Sequence, residues 1–530
     1  MLHTIFHNAT ILTQNPAQPT AQAMAIRNGR IEAVGTNEVV LKQQTSDTKI
    51  IDAQGKTLLP GFNDAHIHIW KVGNLLTYML DVRGIKSKAV MLEKIADYTA
   101  QNPHLEWIMV RGFNEAAWSE GQLPTRFDLD TIATDKPICV IRTCAHIAVV
   151  NSNALTICSI TTQTPVPTGG EIRCSKEGTL LGILTETALG LVMRHIPPYT
   201  ATQYKEMVIA AQNALVRYGI TSATDPAVMP DLLEVYRTME QENELFVRIN
   251  AVPIQVPDGD TEALPLPEKY QSDFLVVDTV KFFSDGGLSG KTAALNTPYK
   301  NTTDEYGVLR LTYDFFLPLA QRARAASWKI ATHAIGDKAI DMVLEVYKKS
   351  PTPKPPPLGR VGGGFRIEHL ALPSPQNLAD MKALGCHAVP QTIFIYELGK
   401  NFRNYLSEDY LQNCYPIKKI LDAGINVALS SDAPVVKDFN PMKGIQAAVC
   451  REDTEGIQIA PEQAIRVEQA LYAYTMGGAK AHDLEQEQGS IEVGKRADFI
   501  FLDKNPLDIP TKLLNSVQVL ETYIGGERVF

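Results

Sequence analysis

Five short segments of this chain carry side chains able to hold a metal ion or move a proton. They are His66-Ile67-His68, Lys281 in Val280-Lys281-Phe282-Phe283-Ser284-Asp285, His333 in Ala331-Thr332-His333, His369 in Ile367-Glu368-His369, and Asp432 in Leu429-Ser430-Ser431-Asp432. Side chains alternate along a strand with period two, so His66 and His68 are expected on one side of a strand, where two imidazoles can share one ion. A lone His-x-His is a weak signal. The ordered set HxH, Lys, His, His, Asp, each late in its own strand-like run, is far more specific. Plainer readings stand beside it. His66 and His68 could be hydrogen-bonded strand residues, and Lys281 a structural or Schiff-base lysine. His333 could end a strand whose next helix Asp337 caps. Asp432 before Ala433-Pro434 suits a turn. Asp285 either orients a substrate or holds its loop.

Elements of regular spacing must position these groups. Apolar runs fall at 57–69, 219–225, 246–254, 276–285, 329–336, 365–370, 387–391 and 426–433, with helical patterns such as 202–218 and 337–348 between them. Eight strands alternating with helices predict an α/β fold, a (β/α)₈ TIM barrel whose chemistry sits at the C-terminal ends of the strands. About 150 residues separate the first run from the second, far more than one helix needs. Strand-like runs at 107–111 and 138–143 therefore suggest a large insertion after the first barrel strand, a subdomain over the barrel mouth at 72–200. Both chain ends carry short alternating strands with Gly turns, which predict a small antiparallel β-sandwich built from 1–57 and 482–530, flanking a barrel of 58–481. The stretch 348–364, with five prolines and four glycines, is expected to be a loop.

Composition narrows the function. The 530 residues carry 50 basic and 59 acidic side chains, a formal charge of −9, with 45% hydrophobic residues. That balance fits a globular chain and argues against a nucleic-acid partner. No apolar run is long enough for a membrane span, and the N-terminus reads as a strand, not a signal peptide. Seven scattered cysteines without a CxxC pair suggest neither a disulfide framework nor a zinc finger, and point to the cytoplasm. The expected partner is a small-molecule substrate, with homo-oligomerisation left open. Gly290-Lys291-Thr292 imitates the end of a phosphate loop, but Asp285 stands where its first glycine belongs.

Taken together, the motifs identify a likeness. The chain resembles the metal-dependent amidohydrolase superfamily over nearly its whole length, and within it the branch of long amidohydrolases that includes the N-substituted formamide deformylases. The likeness rests on PGFNDAHIH at 60–68, KFFSDG at 281–286, THAIGDKA at 332–339, RIEHL at 366–370, SSDAP at 430–434 and GSIEVGKRADFIFLD at 489–503. One departure is Cys144-Ala145-His146, where Asp-Gly-His is expected.

The resemblance implies a division of labour. Two divalent ions, zinc or a similar metal, would be held by His66 and His68 on the buried side and by His333 and His369 on the exposed side. A lysine cannot ligate as an ammonium, its ordinary pKa being about 10.4. In the family it reacts with carbon dioxide, so Lys281 would bridge both ions as a carbamate. Asp432 would touch the first ion and shuttle the proton while a metal-bridging hydroxide attacks an amide or formamide C–N bond. Trp118, His146, Asp285, Gln391 and Arg451 are the expected substrate-binding residues, with Glu115 and Arg142 as further pocket-wall residues. Two other readings remain: a one-metal D-aminoacylase-like deacylase or heterocycle deaminase, and a non-catalytic barrel with a binding or regulatory role.

Overall fold

The structure, a computed structural model, describes residues 3–143, 146–167, 169–257, 262–350 and 364–530. The Pro/Gly-rich stretch expected to be a loop therefore lies mostly outside the described residues, as do Cys144 and Ala145. The chain divides into two compact units, Met1–Ile69 with Ala211–Phe530, and Trp70–Ala210.

Parallel strands dominate the centre of the first unit. One sheet runs Phe62–Asp64, Ile220–Val228, Arg248–Pro253 and Leu275–Val277, all parallel, with Tyr270–Gln271 added antiparallel at its edge. A second, wholly parallel sheet runs Thr279–Phe283, Lys329–Ala334, Phe365–His369 and His387–Val389. A parallel bridge, Ile254 to Lys281, connects the two. Every residue of Arg248–Pro253 and Phe365–His369 is buried, the pattern of parallel strands covered on both faces.

Helices follow the strands with local signals that explain them. Asp337–Lys348 places Ile340, Val343, Leu344 and Tyr347 on one buried stripe, with an acid in its first turn and Lys348 in its last. Pro375–Leu384 begins with a Ser374/Asn377 capping box and a proline, and ends at Gly385 in the left-handed region.

Three expectations need correcting. The first predicted strand is broken in two: Thr57–Pro60 pairs antiparallel with Phe499–Leu502 in a sheet of the chain ends, while Phe62–Asp64 joins Ile220–Val228. Gly61 makes the transfer, and a Cβ there would lie 2.2 Å from Thr221 Oγ1, so no larger residue fits without displacing Thr221. The predicted eighth strand at 426–433 is reduced to one parallel bridge, Ala388 to Val427, because its next backbone groups bond elsewhere: the Leu429 amide to Ala473 and the Ser431 amide to the Asp64 carboxylate. The terminal sheets are mixed rather than antiparallel. His3–His7 runs parallel to Thr48–Asp52, and Thr10–Leu12 parallel to Thr57–Pro60, since turns and the short helix Asn37–Leu41 return the chain in the same direction. Phe6, Phe499, Phe501 and Tyr523 fill the core between these sheets, with Phe499 stacked on Tyr523 at 4.5 Å.

The second unit holds a six-stranded mixed sheet. The runs expected there are the neighbouring parallel strands Ile108–Phe113 and Ile138–Arg142. Among the described residues no helix is long and apolar enough to cross a membrane.

Candidate metal centre

His66 and His68 are not on a strand. The strand stops at Asp64, and the two histidines occupy the segment between it and the helix Ile69–Thr77. Backbone bonds hold that segment on both sides: the Ile67 amide donates to Thr224, the His68 amide to Ala433, and the Asp432 amide to the His66 carbonyl at 2.7 Å. Asp64 adds a clamp, its Oδ1 accepting from the amides of His66 and Ser431. The rings of His66 and His68 stand 5.7 Å apart and nearly perpendicular.

One ligand atom each from His66, His68 and Asp432 lie within 4.8 Å of one another, all three residues buried. His66 Nε2 and His68 Nε2 are 3.4 and 3.3 Å from Asp432 Oδ1. Asp432 has φ +56°, a left-handed conformation that aspartate tolerates. His369 flanks the group, its ring 4.9 Å from His66 and its Nδ1 3.9 Å from Asp432 Oδ2. Strand alternation would set His369 opposite Glu368, yet both reach His66; a φ of +72° at His369 breaks the alternation at the strand end. His333 packs edge-on against His369 at 4.3 Å and donates from Nε2 to the Gly286 carbonyl.

Lys281 is fully buried. Its Nζ has no hydrogen-bond partner and lies 4.8 Å from the centre of the Phe283 ring. Burial pushes its ammonium down to about 8, against the pull of the Glu368 and Asp432 carboxylates. Burial likewise pushes His369 down to about 3 and His333 well below the ordinary range. Burial alone would raise the Asp432 carboxyl, but hydrogen bonds from His66 and His68 and the charge of His66 and His369 hold it well below its ordinary 3.8. His333 and His369 are held neutral and Asp432 ionised, whereas burial of His66 is outweighed by the Glu368 and Asp432 carboxylates, which raise it. Imidazoles and a carboxylate are ligand types that a divalent ion takes, with a proton released from His66 on binding, so the residues fit one.

The expected substrate-binding residues fare differently. Gln391 accepts from His369 Nδ1 at 2.7 Å and donates to Val389 and Ser430, so it orients a histidine. Asp285 accepts from the amides of Ala294, Ile335 and Gly336, which ties down its loop, and its Oδ1 lies 3.4 Å from His333 Nε2. Arg451, fully buried, donates to the carbonyls of Ile459, Tyr415 and Cys414. In the second unit Trp118 is packed in a core with its indole N–H on the Ile85 carbonyl. His146 is half-exposed against Glu186, and Glu115 pairs with Arg142. Four side chains of the centre escaped the sequence reading: Asp64, Arg366, Glu368 and His482. The signal for two of them was present, because Arg366-Ile367-Glu368 puts both charges on one side of a buried strand, where charges need partners.

A buried His-His-Asp cluster beside parallel strands can hold a divalent ion, and comparison with known proteins points the same way. Residues 49–530 match the model of the Amidohydrolase family. The protein LONG AFTER FAR-RED 3 of Arabidopsis thaliana is 29% identical over 99% of this chain and 91% of its own. The N-substituted formamide deformylase of Arthrobacter pascens is 28% identical over 98% of this chain and 96% of its own. A solved structure of an uncharacterised metal-dependent hydrolase from Pyrococcus horikoshii superposes with a TM-score of 0.79 at 25% identity, covering 96% of this chain and 99% of that one. The chain belongs to the amidohydrolase family, and it is a hydrolase of carbon–nitrogen bonds other than peptide bonds.

Proposed function

We propose that this protein hydrolyses an amide or formamide bond in a small molecule at a two-ion centre. The observation that carries the reading is the convergence of His66, His68 and Asp432 within 4.8 Å. His66 and His68 would hold the first divalent ion, zinc or a similar metal, with Asp432; His333 and His369 would hold the second. The buried Lys281 Nζ without a partner suits a lysine that carries carbon dioxide as a carbamate and bridges both ions. A divalent ion in such a site lowers the pKa of water to about 7 and polarises a carbonyl. Asp432, ionised and facing the imidazoles, accepts the proton released on attack and hands it to the leaving nitrogen. Gln391 and Glu368 keep His369 and His66 in place.

The scaffold we propose for this chemistry is a closed (β/α)₈ barrel. Its two parallel sheets are linked by the Ile254–Lys281 bridge, and their outer edges approach through the Ala388–Val427 bridge and the bond from the Ala65 amide to Leu429. Ala65, Val389 and Ala428 share one buried cluster there. The scattered cysteines support a cytoplasmic setting, and the relative named as an N-substituted formamide deformylase supports the substrate class.

One observation favours a second reading. Among the described residues the only compact ligand set is the three-residue one, which suits a single-ion deacylase or deaminase. Protein purified without chelator, assayed for metal and for turnover of small amides, formamides and cyclic imides, decides. Two ions with amide or formamide turnover support the proposal; one ion supports the second reading; no ion and no turnover overturn both.

A further inference from the structure

We infer that Arg366 and Glu368 are positioning residues that set the ring of His66, and with it the affinity of the centre for its first ion. This role presupposes the metal centre proposed above and adds residues to it. Both side chains are buried, at 2% and 1% exposure, on one side of the strand Phe365–His369. The guanidinium grips the carboxylate with a fork, Nε to Oε1 at 2.5 Å and Nη2 to Oε2 at 3.1 Å. Its Nη2 also donates to the carbonyl of Ala65, the residue before His66, at 2.6 Å. Its Nη1 lies 2.7 Å from His482 Nε2, which is itself 2.7 Å from Thr224 Oγ1. An arginine only donates, so His482 Nε2 accepts and the His482 proton sits on Nδ1. His482 anchors the guanidinium from behind.

The other end of the clamp meets the centre. Glu368 Oε2 is hydrogen-bonded to His66 Nδ1. As the acceptor it places the imidazole proton on Nδ1 and leaves the Nε2 lone pair facing Asp432, 3.4 Å away. One guanidinium thus fixes both the carboxylate that sets the His66 tautomer and the backbone that carries the ring. A lysine at 366 would keep the charge and lose the fork.

The test reads metal affinity rather than turnover. Chelator-treated protein is titrated with zinc against a chromophoric chelator, and with cobalt for its visible absorption; thermal melting reports folding. Glu368→Gln and Arg366→Lys are each expected to weaken the first ion roughly 10–100-fold, to alter the cobalt spectrum, and to melt cooperatively. Their effects should combine to less than the product of the two, because they act through one contact. Thr224→Val, which removes the hydroxyl contact to His482 and keeps the Thr224 carbonyl that the Ile67 amide uses, should bind zinc more tightly than either. Either folded variant decides: zinc binding equal to wild type, in an experiment where His66→Ala has lost it, overturns the inference. Equal zinc binding by wild type and His66→Ala would instead overturn the metal-centre reading, and this role with it.

Discussion

The Asp432 amide donates to the His66 carbonyl at 2.7 Å, so two candidate ligands far apart in sequence are joined through their backbones. Asp64 reinforces the link from both sides. Ligands tied together through the backbone in this way are held in position by the fold itself.

Metal content follows directly. Protein purified without chelator should carry close to two zinc-like ions per chain by elemental analysis. A single ion in active protein would shift the reading to a one-ion centre on His66, His68 and Asp432.

Lys281→Ala should remove the second ion and most of the activity. Short-chain carboxylic acids added to the buffer should restore part of it by standing in for the bridging group. Two ions and normal turnover in this variant would rule out the carbamate.

Asp432→Asn keeps the shape and one oxygen but cannot carry a proton. General acid–base catalysis contributes about 10²–10⁴-fold, and kcat should fall by that much. Metal content should fall less than in His66→Ala or His68→Ala. A variant keeping more than about a tenth of wild-type kcat would place the proton transfer on another group.

Stability should respond to acid through Asp278. Burial alone would raise this carboxyl, but Lys329, 2.9 Å away, holds it below its ordinary 3.8. A depressed carboxyl contributes stability that is present above pH 3.8 and lost as pH falls through the native value. The stability difference between wild type and Asp278→Asn should therefore stay constant above about pH 5 and shrink below about pH 4 in denaturant titrations. Lys329→Met leaves the partly buried Asp278 carboxylate without this partner and should cost about 1–3 kcal/mol.

Much of this protein was legible in one dimension. Seven of the eight predicted runs contain a parallel strand, two of them, 57–69 and 276–285, each divided between two sheets, because a run buried on both faces must be apolar and end where the polar functional residues begin. The six ligand candidates were legible as residue types and positions, and the structure gathers three of them, His66, His68 and Asp432, into one buried group, because polar side chains in a core need partners.

What sequence could not supply was the set of contacts made across the fold. Strand alternation put His66 and His68 on a strand that ends at Asp64, and it could not foresee that Gly61 moves the chain from one sheet to another against Thr221. Gln391 and Asp285, just past strand ends, and Arg451, at the end of the helix Pro441–Cys450, looked like substrate groups because a polar residue at the end of an element suits binding and structural support equally. Only tertiary structure showed their hydrogen-bonding capacity engaged by His369, by three loop amides and by three carbonyls. The same holds for Arg366 and Glu368, whose partners Ala65, His66 and His482 lie far away in sequence. Ligand types follow from local chemistry, whereas orientation depends on which distant groups satisfy each buried donor and acceptor, and that is a property of the folded chain.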